Sequence, residues 1–386
     1  DYHKVECICT PGPGVCANMA TANTMACVVE ALGMSLPGQS LHRAVDDNNE
    51  VTQQKLDDCA AAAAAVLELL QREIRTRDIL TRKAFENAIT VLMAVAGSTN
   101  AVIHLIAVAF EAEVELRLDD FQEISNRVPV LTNLKPEGAH GALALDAIGG
   151  LPVVMKVLLD GGLLHGDALT VTGRTVAENL SDVVFPPDQD VVFPLAQPYA
   201  PAGRHLTVLE GNFAPGGSML KTSGKDIGTW RGPARVFDTQ QEIKDALQKG
   251  LVKKGEAVVA RYLGPRGAPG MPEVVIPHVY LGSLGLALHC PFITDGRFSG
   301  TNHGLCIAHV VPEAAAGGNI ALVRDGDMIR IEHKARQLVL EVDEEEMARR
   351  RAAWQPRQPV YSGGHMAKYA ACVQDASHGC VTYQRT

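Results

Sequence analysis

Near residue 185 the chain changes the period at which its apolar residues recur, and this change constrains the fold more than any other feature. Upstream the period is helical. In "TANTMACVVEALGMSL" apolar residues recur at helix spacing from Met25 through Leu36, and Pro37 with Gly38 stops the pattern. Leu56 to Ile74, with its alanine run "CAAAAAAVLELLQREI", is a strong helix by propensity, and its alanine face is expected to pack closely on neighbours. "GSTNAVIHLIAVAFEAEV" predicts a further helix with Ser98, Thr99 or Asn100 as its cap. Asp119 or Asp120 is expected to cap another, and "GGLPVVMKVLLDGGLL" predicts a short helix closed by paired glycines.

Downstream the pattern shortens. Residues 185–204, "FPPDQDVVFPLAQPYAPAGR", hold five prolines and little periodicity, which reads as a linker. Beyond them come short apolar runs divided by Gly, Pro and Asp: "HLTVLEGNFAPGG", "GPARVFD", "EAVVARYLG", "PEVVIP", "HCPFITDG" and "MIRIEH…QLVLEVD". "QQEIKDALQKGLV" and the terminal "GHMAKYAACVQDAS" are helical by contrast. The expected fold class is α/β. An incomplete, helix-rich α/β domain spans 1–184, the linker 185–204, and a β-rich, barrel-like domain 205–386.

Composition narrows the function. A net charge of -9 argues against nucleic acid or anionic membrane as a partner, because both require a basic face. No apolar run approaches the roughly 20 residues that span a bilayer. The start, "DYHKVECICTPG", carries no signal-peptide pattern, so cytoplasm or an organelle matrix is the expected compartment. Nine cysteines are present without a CxxC pair. Cys27, Cys59, Cys290 and Cys306 read as small core hydrophobes. Cys7, Cys9 and Cys16 crowd the Gly/Pro-rich "CICTPGPGVC", where thiolates are plausible ligands for a soft metal or an iron–sulfur cluster, although the spacing fits neither standard ferredoxin pattern.

Two loops carry chemistry. "RGAPGMPE" presents Glu273 after several Gly/Pro pivots; an exposed glutamate needs no special reason, but Mg²⁺ is held by one or two such carboxylates with water and substrate. "FITDGRFSGTNHG" sets Ser299 between Phe298 and Gly300 directly after an apolar run. A serine there can simply satisfy a turn. Arg297 and Thr301 stand where a nucleophile elbow needs glycine, so a Ser/His/Asp hydrolase finds little support.

Together with "PGPGVCANMATANTMACVVEALGMSLPG", "AGSTNAVIHLIAVA" and "DGGLLHGDALTVTGRTVAENL", these loops resemble the dihydroxy-acid and sugar-acid dehydratase family, in order over nearly the whole chain. The resemblance implies a hydro-lyase that removes water from a 2,3-dihydroxy carboxylic acid to give a 2-keto acid. "DDFQEISNRVPVLTNLKPEG" is most similar to the enzymes of branched-chain amino acid biosynthesis, whereas "SGTNHG" is also similar to pentonate dehydratases. The alternatives are therefore a pentonate or phosphogluconate dehydratase, or a catalytically inactive relative. The resemblance further implies an iron–sulfur cluster, 2Fe–2S in preference to 4Fe–4S, a Mg²⁺ ion, and a homodimer or dimer of dimers. Its iron would act as a Lewis acid on the C3 hydroxyl, and Mg²⁺ would stabilise charge that grows as the C2 proton leaves. Carried over by position, Cys16 is a cluster ligand, Glu273 a Mg²⁺ ligand, Ser299 the base and Thr301 a substrate contact.

The same resemblance sets expectations of what this chain lacks. Family chains begin well before Asp1, with a stretch that holds two further cluster cysteines and the remaining Mg²⁺ ligands, and Cys7 and Cys9 do not align with them. After Cys16 the family has two glycines where Ala17 and Asn18 stand here. The serine loop is expected to come from the second domain over a metal site in the first.

Overall fold

The computed structural model describes residues 14–222, 224, 225, 227–299 and 304–385. Two compact units emerge. One takes the chain up to Ala101 with Glu111–Glu115 and Ile124–Ala202; the other gathers Val102–Phe110, Leu116–Glu123 and the chain from Gly203 onward.

In the first unit the described residues form helices and isolated bridges. Helix Arg82–Ala94 is buried from Phe85 through Ala94 except for one residue, and it packs on helices Thr21–Ala31 and Leu151–Asp160. A helix buried nearly all round, with Asn87 and Thr90 inside as well as its apolar residues, lies at the centre of its bundle. Of the three candidate caps before helix Asn100–Ala112, Ser98 takes the role: its hydroxyl accepts the Asn100 N–H at 3.2 Å. Asp119 and Asp120 lie inside the first turn of helix Leu118–Arg127 rather than ahead of it, and Asp120 reaches back to accept the Arg117 N–H at 2.7 Å. The alanine-rich helix, Gln53–Gln71, departs from expectation. It is capped by Thr52, which accepts the Lys55 N–H, yet Asp58 is its one buried residue. Cys59 is accordingly exposed, whereas Cys27, Cys290 and Cys306 are buried as small hydrophobes. Alanine propensity with a good cap sustains such a helix without a buried face. The proline-rich stretch 185–204 is laid down in hydrogen-bonded register, Val192 against Thr132 and Ala200 against Val130, with Val191 and Val192 buried.

The described residues of the second unit form eight strands: β1 (Leu206–Leu209), β2 (Ser218–Lys221), β3 (Thr229–Phe237), β4 (Ala257–Ala260), β5 (Phe292–Thr294), β6 (Cys306–Ala308), β7 (Met328–Glu332) and β8 (Gln337–Leu340). Their order is β1-β2-β6-β5-β4-β3-β7-β8, parallel among β3 to β6 and antiparallel elsewhere. A parallel bridge between Glu210 and Gln337 joins the two outer strands, the Leu338 N–H donating to Glu210 O at 2.6 Å, so the sheet approaches closure as a barrel. Near-closure leaves little unpaired strand edge.

Burial explains the sequence of each strand. Val259, Ile293 and Ile307 face an inner core with Leu209, Leu220 and Ile331. Their neighbours Val258, Phe292 and Cys306 face an outer layer covered by helices Gln240–Gln248 and Ile276–Ser283. Parallel strands buried on both faces read as unbroken apolar runs, while β7 and β8 alternate because one face meets solvent. "PEVVIP" is not a strand: Pro277 stands in the first turn of helix Ile276–Ser283, where its missing N–H costs nothing. Among the described residues no helix is long and apolar enough to cross a membrane.

Candidate active site

Glu273 and Ser299 lie on loops that follow adjacent parallel strands, β4 and β5, and so emerge at the same end of the sheet. The carboxyl ends of parallel strands are where α/β folds place their ligands. The loops are tied directly. Glu273 and Arg297 form a parallel bridge, the Val274 N–H donates to Arg297 O at 2.9 Å, and Arg297 Nε donates to Met271 O at 2.5 Å. Ser299, half-buried, stands two residues beyond that bridge. Phe298 anchors it by burying its ring edge-on to Phe292 at 5.2 Å and to His278 at 5.9 Å.

Beneath the loops two buried carboxylates act as backbone clasps. Asp295 accepts N–H groups from Tyr262 (3.0 Å), Leu263 (2.9 Å) and Ala314 (2.8 Å). Glu313 accepts those of Arg266 and Gly267, each at 2.9 Å. Each acid thereby fastens the 262–267 turn to a different part of the serine loop's surroundings. Burial outweighs these donors and pushes Asp295 up to about 6 and Glu313 up to about 7. Both folded values exceed those of free carboxyls, so the folded state holds extra protons between about pH 4 and 7. The linked stability is full below about pH 4 and is lost as pH rises through 6 and 7, on the order of 3 kcal/mol per group. Urea midpoints from pH 4 to 8 should show this decline, and in Glu313→Gln it should shrink by about half.

His309 also meets this cluster, and sequence reading did not single it out. It follows β6 in a left-handed backbone conformation (φ 58°), its N–H donates to Gly296 O at 3.0 Å, and its buried Nε2 has no hydrogen-bond partner among the described residues. Burial first, then Arg297 and His104, pushes its pKa down to about 3, so the ring is neutral in working conditions. His104 is likewise lowered, chiefly by burial and by Arg297, with Glu273 opposing. The available signal was positional, since "IAHVVPE" continues directly from a core strand.

Cys16 belongs to the first unit. Its exposed thiol lies on a turn leading into helix Thr21–Ala31, and the Asn23 side chain pins that turn by donating to Cys16 O (2.7 Å) and Asn18 O (2.8 Å). The thiol opens on a cavity of about 450 Å³ shared with Ser40, His42 and Lys55. The His42 ring, 2.9 Å from Asp58, is held in that wall. Thr301, Cys7 and Cys9 lie outside the described residues. Among the described residues no three His, Cys, Asp or Glu side chains converge as a metal site. Cys16 and Glu273 each offer one ligand of a suitable kind, a soft thiol and a hard carboxylate, but the described residues complete neither a cluster site nor a Mg²⁺ site.

The barrel-like sheet brings a carboxylate loop and a serine loop together at one end, and comparison with known proteins gives the class. Models of the dihydroxy-acid/6-phosphogluconate dehydratase N-terminal and C-terminal domains match residues 1–179 and 190–380. The chain belongs to this family. It is 50% identical to the dihydroxy-acid dehydratase of Chromohalobacter salexigens, over 99% of this chain and 66% of that protein. It is 49% identical to that of Chloroflexus aurantiacus over 98% of this chain and 67% of the relative, and 50% identical to dihydroxy-acid dehydratase 1 of Nocardia farcinica over 99% and 66%. The chain thus spans about two thirds of the length of these relatives.

Proposed function

We propose that the chain is a hydro-lyase converting a 2,3-dihydroxy carboxylic acid into a 2-keto acid, the dihydroxy-acid dehydratase reaction of branched-chain amino acid biosynthesis. The observation that carries this reading is the backbone pairing of the Glu273 loop with the Ser299 loop, together with relatives near 50% identity that bear that name. In this reading Ser299, ionised to its alkoxide beside the Mg²⁺ that Glu273 would help hold, takes the C2 proton on Oγ as the C3 hydroxyl departs as water, and Thr301 contacts the substrate. Arg297, fixed by Met271 O, sets the spacing between Ser299 and Glu273. The buried His309 ring, its pKa pushed down to about 3, adds a polar group beside Arg297 without a fixed cation. Glu273 would give one oxygen to a Mg²⁺ ion and Cys16 one thiolate to a 2Fe–2S cluster, and the homodimer belongs to the same proposal.

The test is keto-acid formation by the anaerobically purified protein, reconstituted with iron, sulfide and Mg²⁺, from 2,3-dihydroxy-3-methylbutanoate and from a pentonate. Turnover of the branched acid at least tenfold above the pentonate is expected, and Glu273→Gln should raise the Mg²⁺ requirement of that activity at least tenfold. Turnover of the pentonate alone, or of neither acid, would overturn the reading.

A further inference from the structure

The barrel unit holds a second cavity, of about 620 Å³, whose lining includes none of Glu273, Arg297 and Ser299. That volume falls within the range of small-molecule sites, about 300–1,000 Å³. The charged residues of its lining sum to a positive charge although the chain as a whole carries -9. Arg266 and Arg357 line it, and Asp238 is the one carboxylate among the lining residues. Asp238 is already engaged by Arg261 and Arg357. The Arg357 guanidinium lies 3.9 Å over the Tyr262 ring, which fixes the plane of its donor fork. Arg266 uses its Nε on Val373 O at 3.2 Å and leaves its terminal nitrogens without a partner among the described residues. The lining also carries short apolar side chains, Leu263, Ala268, Ala315, Val360, Ala367 and Ala370, beside the polar Thr239, Gln240, Gln358 and Ser362.

We propose that this cavity binds a small monocarboxylate with a short branched apolar tail. Two guanidiniums set against one spent carboxylate call for an anion, and planar guanidinium forks match the two oxygens of a carboxyl group. The alanines of the lining leave room for a few methyl groups. The lining is also tied to the serine loop, because Tyr262 and Leu263 give their N–H groups to Asp295. Tyr262 holds a left-handed conformation (φ 63°) to do so, and its hydroxyl accepts from Trp354 Nε1 at 3.4 Å. The site stands apart from the proposed dehydratase chemistry and does not depend on it.

Isothermal titration of the full chain with isovalerate, isovaleramide and acetate tests this. Saturable binding of isovalerate is expected, at least tenfold weaker for the uncharged amide and for the tail-less acetate. Arg357→Ala should weaken it at least tenfold, and so should Ala371→Trp, which fills the cavity from an exposed position without touching a charge. Ser299→Ala should leave it unchanged. Absence of saturable binding, equal affinity for the amide, or binding lost in Ser299→Ala but kept in both cavity variants would overturn the proposal; the last outcome would place the probe at the serine loop.

Discussion

Replacing Ser299 by alanine is expected to lower kcat/KM for the dihydroxy acid by about 10²- to 10⁴-fold, the contribution of one positioned proton-transfer group. The fold should be indifferent. Ser299 is half-buried, and the loop that carries it is held by Phe298, Arg297 and Asp295 rather than by the hydroxyl. Circular dichroism melts of the two proteins should therefore coincide. A loss of less than threefold with superimposable melts would remove Ser299 as the base and return it to the role of a turn residue.

Asp295→Ala is expected to give the larger effect on stability. The substitution strips the acceptor from three N–H groups, those of Tyr262, Leu263 and Ala314, at a point only 1% exposed. Each abandoned buried donor costs about 1–3 kcal/mol. Removing a carboxylate whose pKa burial has raised to about 6 returns about 3 kcal/mol of that near neutral pH. The net loss is then about 3 kcal/mol, read as a shift in urea midpoint at pH 7. Because the same clasp sets the serine loop against the 262–267 turn, kcat should fall with it, whereas Ser299→Ala lowers kcat alone. Asp295→Asn retains an acceptor and should lose less than half as much. Equal midpoints for Asp295→Ala and the parent would mean that water fills the site and that the clasp is not structural.

Much of this protein follows from its sequence alone. The change from helical to strand period near residue 185, the paired glycines that close helix Leu151–Asp160, and the helical pattern of Gln240–Gln248 are local rules acting on neighbouring residues. The loops "RGAPGMPE" and "FITDGRFSG" were legible for the same reason, as runs too rich in pivots and polar groups to be core. The misreadings fall where non-neighbours decide. "VVIP" has strand composition, but Pro277 and the outer barrel face make it a helix; Cys59 reads as core, but its helix buries one residue. Helix Glu344–Ala353 has no apolar stripe to announce it and rests on the Asp343 cap and on Arg350 paired with Asp327. Strands β2 and β6 are too short for any period to show. Only the tertiary structure could join Glu273 to Arg297, or carry His309, Asp295 and Glu313 beneath the serine loop. Those contacts depend on the order of β4, β5 and β6 in the sheet, and strand order is set by burial of two faces at once, which no window along the chain contains.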